Sequence, residues 1–81
     1  MTKVEYGKCE KLMNDAISKA ILAQDEYYKS EKYLQVNGDK LKSEIELRKA
    51  DQHYGEVIGI NKVLTALGFD HDRMKRLGEL L

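Results

Sequence analysis

The sequence predicts an all-α protein in which a long antiparallel helical hairpin and a short C-terminal helix assemble into a homo-oligomeric helical bundle. Three observations predict this fold class. The 81 residues include no proline, so nothing interrupts a long helix. Apolar residues recur every three or four positions along two long segments, which is the spacing of one helical face. Charged residues make up 35% of the chain, above the usual share of about 25%, and this surplus suits thin helices with much surface.

A chain of this length forms one domain at most, which we expect to span residues 1–81. The first helix is predicted over residues 3–36, where two interleaved series of residues each repeat every seven positions. One series varies in size: Tyr6, Met13, Ala20, Tyr27 and Leu34. The other series is uniformly small: Cys9, Ala16, Ala23 and Ser30. Together they form one stripe, and the small series favours a short distance to the neighbouring helix.

Residues 37–39 are predicted to turn the chain. Asn37 and Gly38 tolerate the left-handed backbone conformation that ends a helix, and Asp39 is a good N-cap for the next one. The same Asn-Gly pair is also typical of a β-hairpin, so the sequence leaves open a local hairpin at this point. The helical alternative is favoured because Lys–Glu and Glu–Arg pairs follow at a spacing of four residues.

The second helix is predicted over residues 40–67. Its apolar stripe consists of Ala50, His53, Val57, Ile60, Leu64 and Leu67. Gly68 is predicted to end this helix, because glycine favours the left-handed conformation of a helix C-terminus. Asp70 is then expected to cap a short amphipathic helix over residues 71–80.

Two glycines four residues apart interrupt the second helix, and each costs about 1 kcal/mol relative to alanine in a helix interior. The hairpin turn places Gly59 level with Ile17 and Gly55 level with Ile21, inside the small-residue stretch of the first helix. We therefore expect a contact that offsets the cost. Either two helix backbones approach closely at this point, or a bulky group lies over the glycines.

Apolar residues in the middle of the first helix exceed what a single seam between two helices can cover. We therefore expect contact with more than one neighbour there, either the short C-terminal segment or a second subunit. An exposed helix face of the oligomer is also expected to bind a host protein. The predicted protein interface combines outward-facing side chains with the two glycines: Ile17, Ile21, Leu22, Tyr28, Gly55 and Gly59.

A second hypothesis is an oligomer that sequesters a nucleotide-like small molecule between subunits. Tyrosines and lysines alternate over residues 27–33, a pattern that can stack on bases and contact phosphates. The expected ligand contacts are Lys29, Lys32, Arg48 and Tyr54. A purely structural oligomer without a partner is the third alternative.

Other classes of function are not favoured. Fourteen basic and fourteen acidic residues balance, so no net positive charge attracts nucleic acid. His53 and His71 lack metal-binding spacing and Cys9 has no histidine close in sequence, so we expect no metal, cofactor or catalytic centre. No apolar run approaches the roughly 20 residues that span a bilayer, and a single cysteine suits a reducing compartment. We therefore expect a cytoplasmic protein without a membrane segment.

The segment Tyr54–Phe69, YGEVIGINKVLTALGF, resembles the C-terminal halves of small uncharacterised helical accessory proteins of phages and mobile elements of Gram-positive bacteria. The resemblance implies a small accessory protein of the kind that binds and inhibits a host factor. Some phage counter-defence proteins are compact helical oligomers that sequester nucleotide signals. That second likeness is one of size and architecture, and it assigns no binding residue to this chain.

Overall fold

The computed structural model describes all 81 residues and contains three α-helices and no strand. Helix α1 spans Lys3–Gln35, α2 spans Lys40–Ala66 and α3 spans Asp72–Leu80. The predicted all-α class is therefore confirmed, and residues 37–39 form a turn between helices rather than a β-hairpin. Helices α1 and α2 lie antiparallel in a rod of 52 × 17 × 16 Å, and α3 packs against α1.

Capping residues set the ends of the two long helices. Thr2 begins α1, because its side-chain oxygen accepts a hydrogen bond from the backbone N–H of Glu5. Gly38 has a φ of 64° and reverses the chain after α1. Asp39 then caps α2 by accepting a hydrogen bond from the backbone N–H of Lys42 at 3.0 Å. Glycine adopts positive φ without steric cost and aspartate satisfies free N–H groups, so local sequence defines this turn.

A Schellman motif ends α2 at Gly68, whose φ is 69°. The backbone N–H of Gly68 donates to the carbonyl of Thr65, and that of Phe69 donates to the carbonyl of Leu64, both at 3.0 Å. Phe69 and Leu64 also belong to the same apolar cluster. The motif therefore both turns the chain and places Phe69, which follows the helix, against the core.

His71 is the N-cap of α3, so the predicted cap Asp70 is wrong. The Nδ1 atom of His71 accepts a hydrogen bond from the backbone N–H of Arg73 at 3.0 Å. Its Nε2 atom lies 3.1 Å from Oε2 of Glu10, and Arg73 bonds the side chain of Asn14. The start of α3 is therefore tied to α1 by two side-chain contacts as well as by apolar packing.

The small-residue series of α1 lies in the seam between α1 and α2. All its members are buried: Cys9, Ala16, Ala23 and Ser30. The second helix meets it with a seven-residue series of its own, also entirely buried: Ser43, Ala50, Val57 and Leu64. The seam is therefore built from two regular series, as in a short coiled coil.

The two helical glycines do not lie in this seam, so the predicted close approach of the α1 and α2 backbones at these glycines is wrong. Gly55 and Gly59 are exposed, and a Cβ atom built on either one has nothing within 4 Å outside the backbone of its own helix. Each glycine is two residues from the buried Val57, which places it about 200° around the helix from the seam. The turn determines how far along the rod a residue lies, but not which way it faces.

The apolar core lies in the half of the rod that contains both chain ends, residues 1–20 and 57–81, which we call the open half. Its buried cluster consists of Cys9, Met13, Ala16, Ile17, Ala20, Val57, Leu64, Phe69 and Leu77. Leu77 of α3 is fully buried and closes one face of the α1–α2 pair. Ile17, which we expected to face outward, is only 4% exposed and belongs to this core, because α3 covers that side of α1.

Candidate interaction surfaces

In the remaining residues, 21–56, which we call the turn half, hydrogen-bonded polar side chains share the seam with the small Ala23 and Ala50. Glu26 is buried, and its Oε1 atom lies 2.5 Å from Nδ1 of His53. The hydroxyl of Ser30 donates to the carbonyl of Ser43 at 2.9 Å. Such bonds contribute about 1 kcal/mol each, whereas burial of a large apolar side chain contributes about 2 kcal/mol. The turn half is therefore held together less tightly than the open half.

Large apolar side chains in the turn half point outward instead. Those more than 40% exposed are Ile21, Leu22, Tyr28, Leu34, Val36, Leu41, Ile45 and Leu47. With polar groups inside and apolar groups outside, this part of the chain has apolar area that only another molecule can cover.

Three of these side chains, Ile21, Tyr28 and Leu47, form a surface that we call the turn-half face. Ile21 and Tyr28 lie four and eleven residues beyond Ile17, so they continue the side of α1 that α3 covers in the open half. On α2, Leu47 is seven residues before Tyr54, whose hydroxyl donates to the main-chain oxygen of the residue after α3 at 2.9 Å. The third helix therefore ends where the turn-half face begins.

The structure brings the predicted interface residues together only in part. Ile21, Leu22 and Tyr28 are exposed. Leu22 follows Ile21 directly, so it lies about 100° around α1 and faces a different side of the rod. Gly55 and Gly59 are exposed on α2, away from Ile21 and Tyr28.

A second exposed surface centres on Leu12, which is 42% exposed in the open half. Three shallow depressions adjoin its side chain, and we call the whole the Leu12 surface. The first depression is lined by Lys8, Lys11 and Asp15. The second is lined by Lys19, Glu56, Gly59, Ile60 and Val63. The third is lined by Met1, Glu5, Lys8, Cys9 and Leu67. A protruding apolar side chain beside depressions is the geometry with which helices interlock.

The Leu12 surface is absent from the sequence-based prediction. Leu67 was expected in the buried stripe of α2, but at the C-cap of that helix it is 58% exposed. One signal in the sequence does mark this surface. Charged residues of alternating sign flank Leu12 at helical spacing, and they therefore share its side of α1: Glu5, Lys8, Asp15 and Lys19.

An ion pair between the two long helices borders the Leu12 surface. The Nζ atom of Lys19 lies 3.0 Å from Oε2 of Glu56 and 3.6 Å from Oδ2 of Asp15. The hydrogen bond with Glu56 raises the pKa of Lys19, and the same bond lowers the pKa of the Glu56 carboxyl. Because solvent reaches both side chains, the pair orients the rim of the surface and adds little stability.

The four residues of the nucleotide hypothesis do not converge. Lys29 and Lys32 line one shallow depression near the turn, but Arg48 and Tyr54 do not contribute to it. The ammonium of Lys29 lies 3.1 Å from Oδ2 of Asp25, and this hydrogen bond raises the pKa of Lys29. The carboxylate also offsets the positive charge that Lys29 brings to the depression.

Both histidines and the cysteine are engaged or buried. His53 bonds Glu26, His71 caps α3, and Cys9 lies in the core. No three His, Cys, Asp or Glu side chains are grouped so that they could hold a metal ion. None of the three helices has an apolar stretch long enough to cross a membrane.

The sequence matches no protein-family model, no curated protein and no solved structure. Evidence on function therefore comes from the two exposed apolar surfaces and not from a family.

Proposed function

We propose that this chain is a non-enzymatic accessory protein that self-associates. It binds a host protein through its turn-half face and thereby modulates or inhibits that protein. The observation that carries this proposal is the distribution of side chains in the turn half, where the seam holds only polar side chains and small alanines while eight large apolar side chains are exposed. In isolation the reverse arrangement would be more stable, by about 25 cal/mol for each Å² of apolar surface removed from water. A bound partner supplies the missing burial.

The chemistry of the turn-half face fits an amphipathic helix. Ile21, Tyr28 and Leu47 extend the layer that α3 occupies in the open half. A partner helix laid along this face would continue the layer, with its own apolar side chains at spacings of three and four residues. Tyr28, which is 65% exposed, is the expected anchor because tyrosine is enriched among the residues that dominate binding energy.

Inhibition of the host protein follows from occupation of that helix. A helix buried against the turn-half face cannot contact its usual neighbour, so binding alone suffices and no chemical step is needed. The resemblance of the segment Tyr54–Phe69 to accessory proteins of phages and mobile elements supports a host protein as the target.

Affinity capture from the native host tests this proposal. We expect the wild-type chain to capture one host protein reproducibly, and the double variant Ile21→Asp/Tyr28→Asp to lose it. Leu41→Asp is the matched control, because Leu41 is 69% exposed in the turn half but lies on a different side of α2 from Leu47. With the purified host protein, the double variant should raise the Kd at least about tenfold. Equal binding by all three chains would contradict the proposal.

The depression near the turn supports a second candidate, the binding of a small phosphate-bearing ligand by Lys29 and Lys32. A thermal-shift screen against linear and cyclic nucleotides tests it. A ligand present at 100 times its Kd should stabilise the fold by about 2.7 kcal/mol, and Lys32→Glu should remove that gain. An unchanged melting temperature with every nucleotide would eliminate this candidate.

A further inference from the structure

We infer that two copies of this chain pair antiparallel through their Leu12 surfaces, with a twofold axis passing beside Leu12. In the open half, α3 covers one face of the α1–α2 pair and the Leu12 surface lies on the other side of α1. A second copy would therefore cover the pair from its free side, so that apolar residues are buried on both faces. This dimer rests on the proposed self-association, to which it adds a surface and a register.

Four of the five charged residues of α1 that line the Leu12 surface are complementary to their own reversed order, whereas the fifth, Lys11, has no acidic counterpart. Glu5 lies seven residues before Leu12 and Lys19 seven residues after it, while Lys8 and Asp15 lie four before and three after. A reversed second copy centred on Leu12 therefore places Glu5 opposite Lys19 and Lys8 opposite Asp15. Twofold symmetry makes each of these contacts twice. Two parallel α1 helices would instead set every charge beside its own copy.

The shape of the surface agrees with the same register. The depression that contains Leu67 lies on the Glu5 side of Leu12, whereas the depression that contains Gly59 and Val63 lies on the Lys19 side. Reversal about Leu12 exchanges the two, so the exposed Leu67 of one copy meets the Gly59 depression of the other. A glycine in that depression leaves room for the Leu67 side chain, since a Cβ atom built on Gly59 meets nothing within 4 Å outside the backbone of its own helix.

The whole chain, turn half included, exposes enough surface to supply the area that such a dimer buries. The chain exposes 5788 Å². A folded monomer of 9.3 kDa is expected to expose about 5,000 Å², so the excess is about 800 Å². Each partner in a standard-size interface buries about 800 Å². Pairing about Leu12 overlaps the two open halves and leaves both turn halves projecting, so the turn-half faces stay free for the host protein.

Analytical ultracentrifugation of the full chain tests the dimer directly. We expect a dimer for the wild type and a monomer for Leu12→Asp, with the dissociation constant raised at least about tenfold. Leu12 is well exposed, so the variant should keep the helical content of the wild type by circular dichroism. A wild-type chain that stays monomeric at millimolar concentration, or a Leu12→Asp chain that dimerises as well as the wild type, would overturn the inference.

Charge exchange tests the register. In a Lys8→Glu dimer the new carboxylate faces Asp15 of the other copy, and in an Asp15→Lys dimer the new ammonium group faces Lys8. Because like charges then meet at each contact, each variant alone should dimerise several-fold more weakly. A mixture of the two should form a heterodimer more stable than either homodimer, because every contact is then an ion pair again. Asp25→Lys is the matched control, since Asp25 pairs with Lys29 four residues on, just as Asp15 pairs with Lys19. Absence of preferential heterodimers would overturn the antiparallel register.

Host-protein capture by Leu12→Asp separates this inference from the proposed function. Capture by a monomeric Leu12→Asp chain would support the dimer surface, since it places dimerisation and host binding on different faces. Loss of host binding in Ile21→Asp/Tyr28→Asp with an intact dimer would support the same assignment from the other side. A dimer disrupted by Ile21→Asp/Tyr28→Asp but not by Leu12→Asp would overturn it.

Discussion

Glu26 and His53 form a hydrogen-bonded pair between α1 and α2, with 2.5 Å between Oε1 and Nδ1. Glu26 is only 6% exposed, and the His53 imidazole is its hydrogen-bond partner. This contact lies in the turn half, where few apolar side chains hold the helices together. It therefore sets how the two helices are aligned along the seam.

Removal of one partner from this pair should lower the free energy of unfolding more than removal of both. His53→Leu leaves the Glu26 carboxylate buried without a partner and should lower the free energy of unfolding by about 3 kcal/mol. The double variant Glu26→Leu/His53→Leu should recover most of that loss, because it removes both polar groups and buries apolar surface. Urea unfolding followed by circular dichroism, at one protein concentration, measures both. A double variant as unstable as the single one would contradict this account.

Alanine at either exposed helical glycine should stabilise the isolated chain. Gly55→Ala and Gly59→Ala should each raise the free energy of unfolding by about 1 kcal/mol, because neither new methyl group meets a neighbour. Unfolding is best measured in the Leu12→Asp background, which removes dimerisation. In the wild-type background Gly59→Ala should weaken the dimer and Gly55→Ala should not. Equal effects of both alanines on dimerisation would argue against contact at Gly59.

Tyr27 should ionise only at high pH. Its hydroxyl donates to Oδ1 of Asp51 at 2.6 Å, and this bond, with a smaller contribution from burial, raises the pKa of Tyr27 to about 12. The unfolded value is about 10, so the stabilisation is fully present below about pH 10 and is lost as the pH rises toward 12. Tyrosinate absorbance should show a step near pH 12 that belongs to Tyr27. Tyr27→Phe should abolish that step, whereas Tyr28→Phe should leave it unchanged.

The imidazole cap of α3 should be replaceable by another hydrogen-bond acceptor. His71→Ala removes the acceptor for the backbone N–H of Arg73 and should cost about 1 kcal/mol. His71→Asn keeps a capping oxygen but loses the contact with Glu10, so its stability should lie between those of the wild type and His71→Ala. Amide hydrogen exchange at Arg73 and Met74 reports the cap directly. Unchanged exchange in His71→Ala would show that the imidazole cap does not hold the start of α3.

The turn between α1 and α2 and the end of α2 could be predicted because their determinants are local, whereas the cap of α3 was not predicted correctly. Gly38 and Asp39 reverse the chain and start α2, and Gly68 ends α2, each through contacts within a few residues. The small series of α1 was also predictable, because its seven-residue repeat leaves one face available to a neighbour. These features need no knowledge of how the helices are arranged.

The facing of individual residues could not be predicted in the same way. The turn sets Gly59 level with Ile17, but the rotation of α2 about its own axis depends on the whole series Ser43–Leu64. Burial of Ile17 depends on where α3 docks, which is decided by the link from Gly68 to His71. The rotation of α2 and the burial of Ile17 both depend on contacts between segments that are distant in the sequence. The composition and spacing of a single helix therefore cannot predict them.

The distribution of the core has a consequence for how the chain acquires its fold. Met13 on α1 packs in one cluster with Leu64 and Leu77, which follow it by about fifty residues or more. The contacts near the turn join residues that are close in sequence, so we expect them to form early. They are polar, so each adds little stability. During synthesis the apolar side of α1 therefore leaves the ribosome long before its partners are made. The hairpin therefore depends on Phe69 and Leu77 for part of its core, and a chain truncated after α2 would lack both.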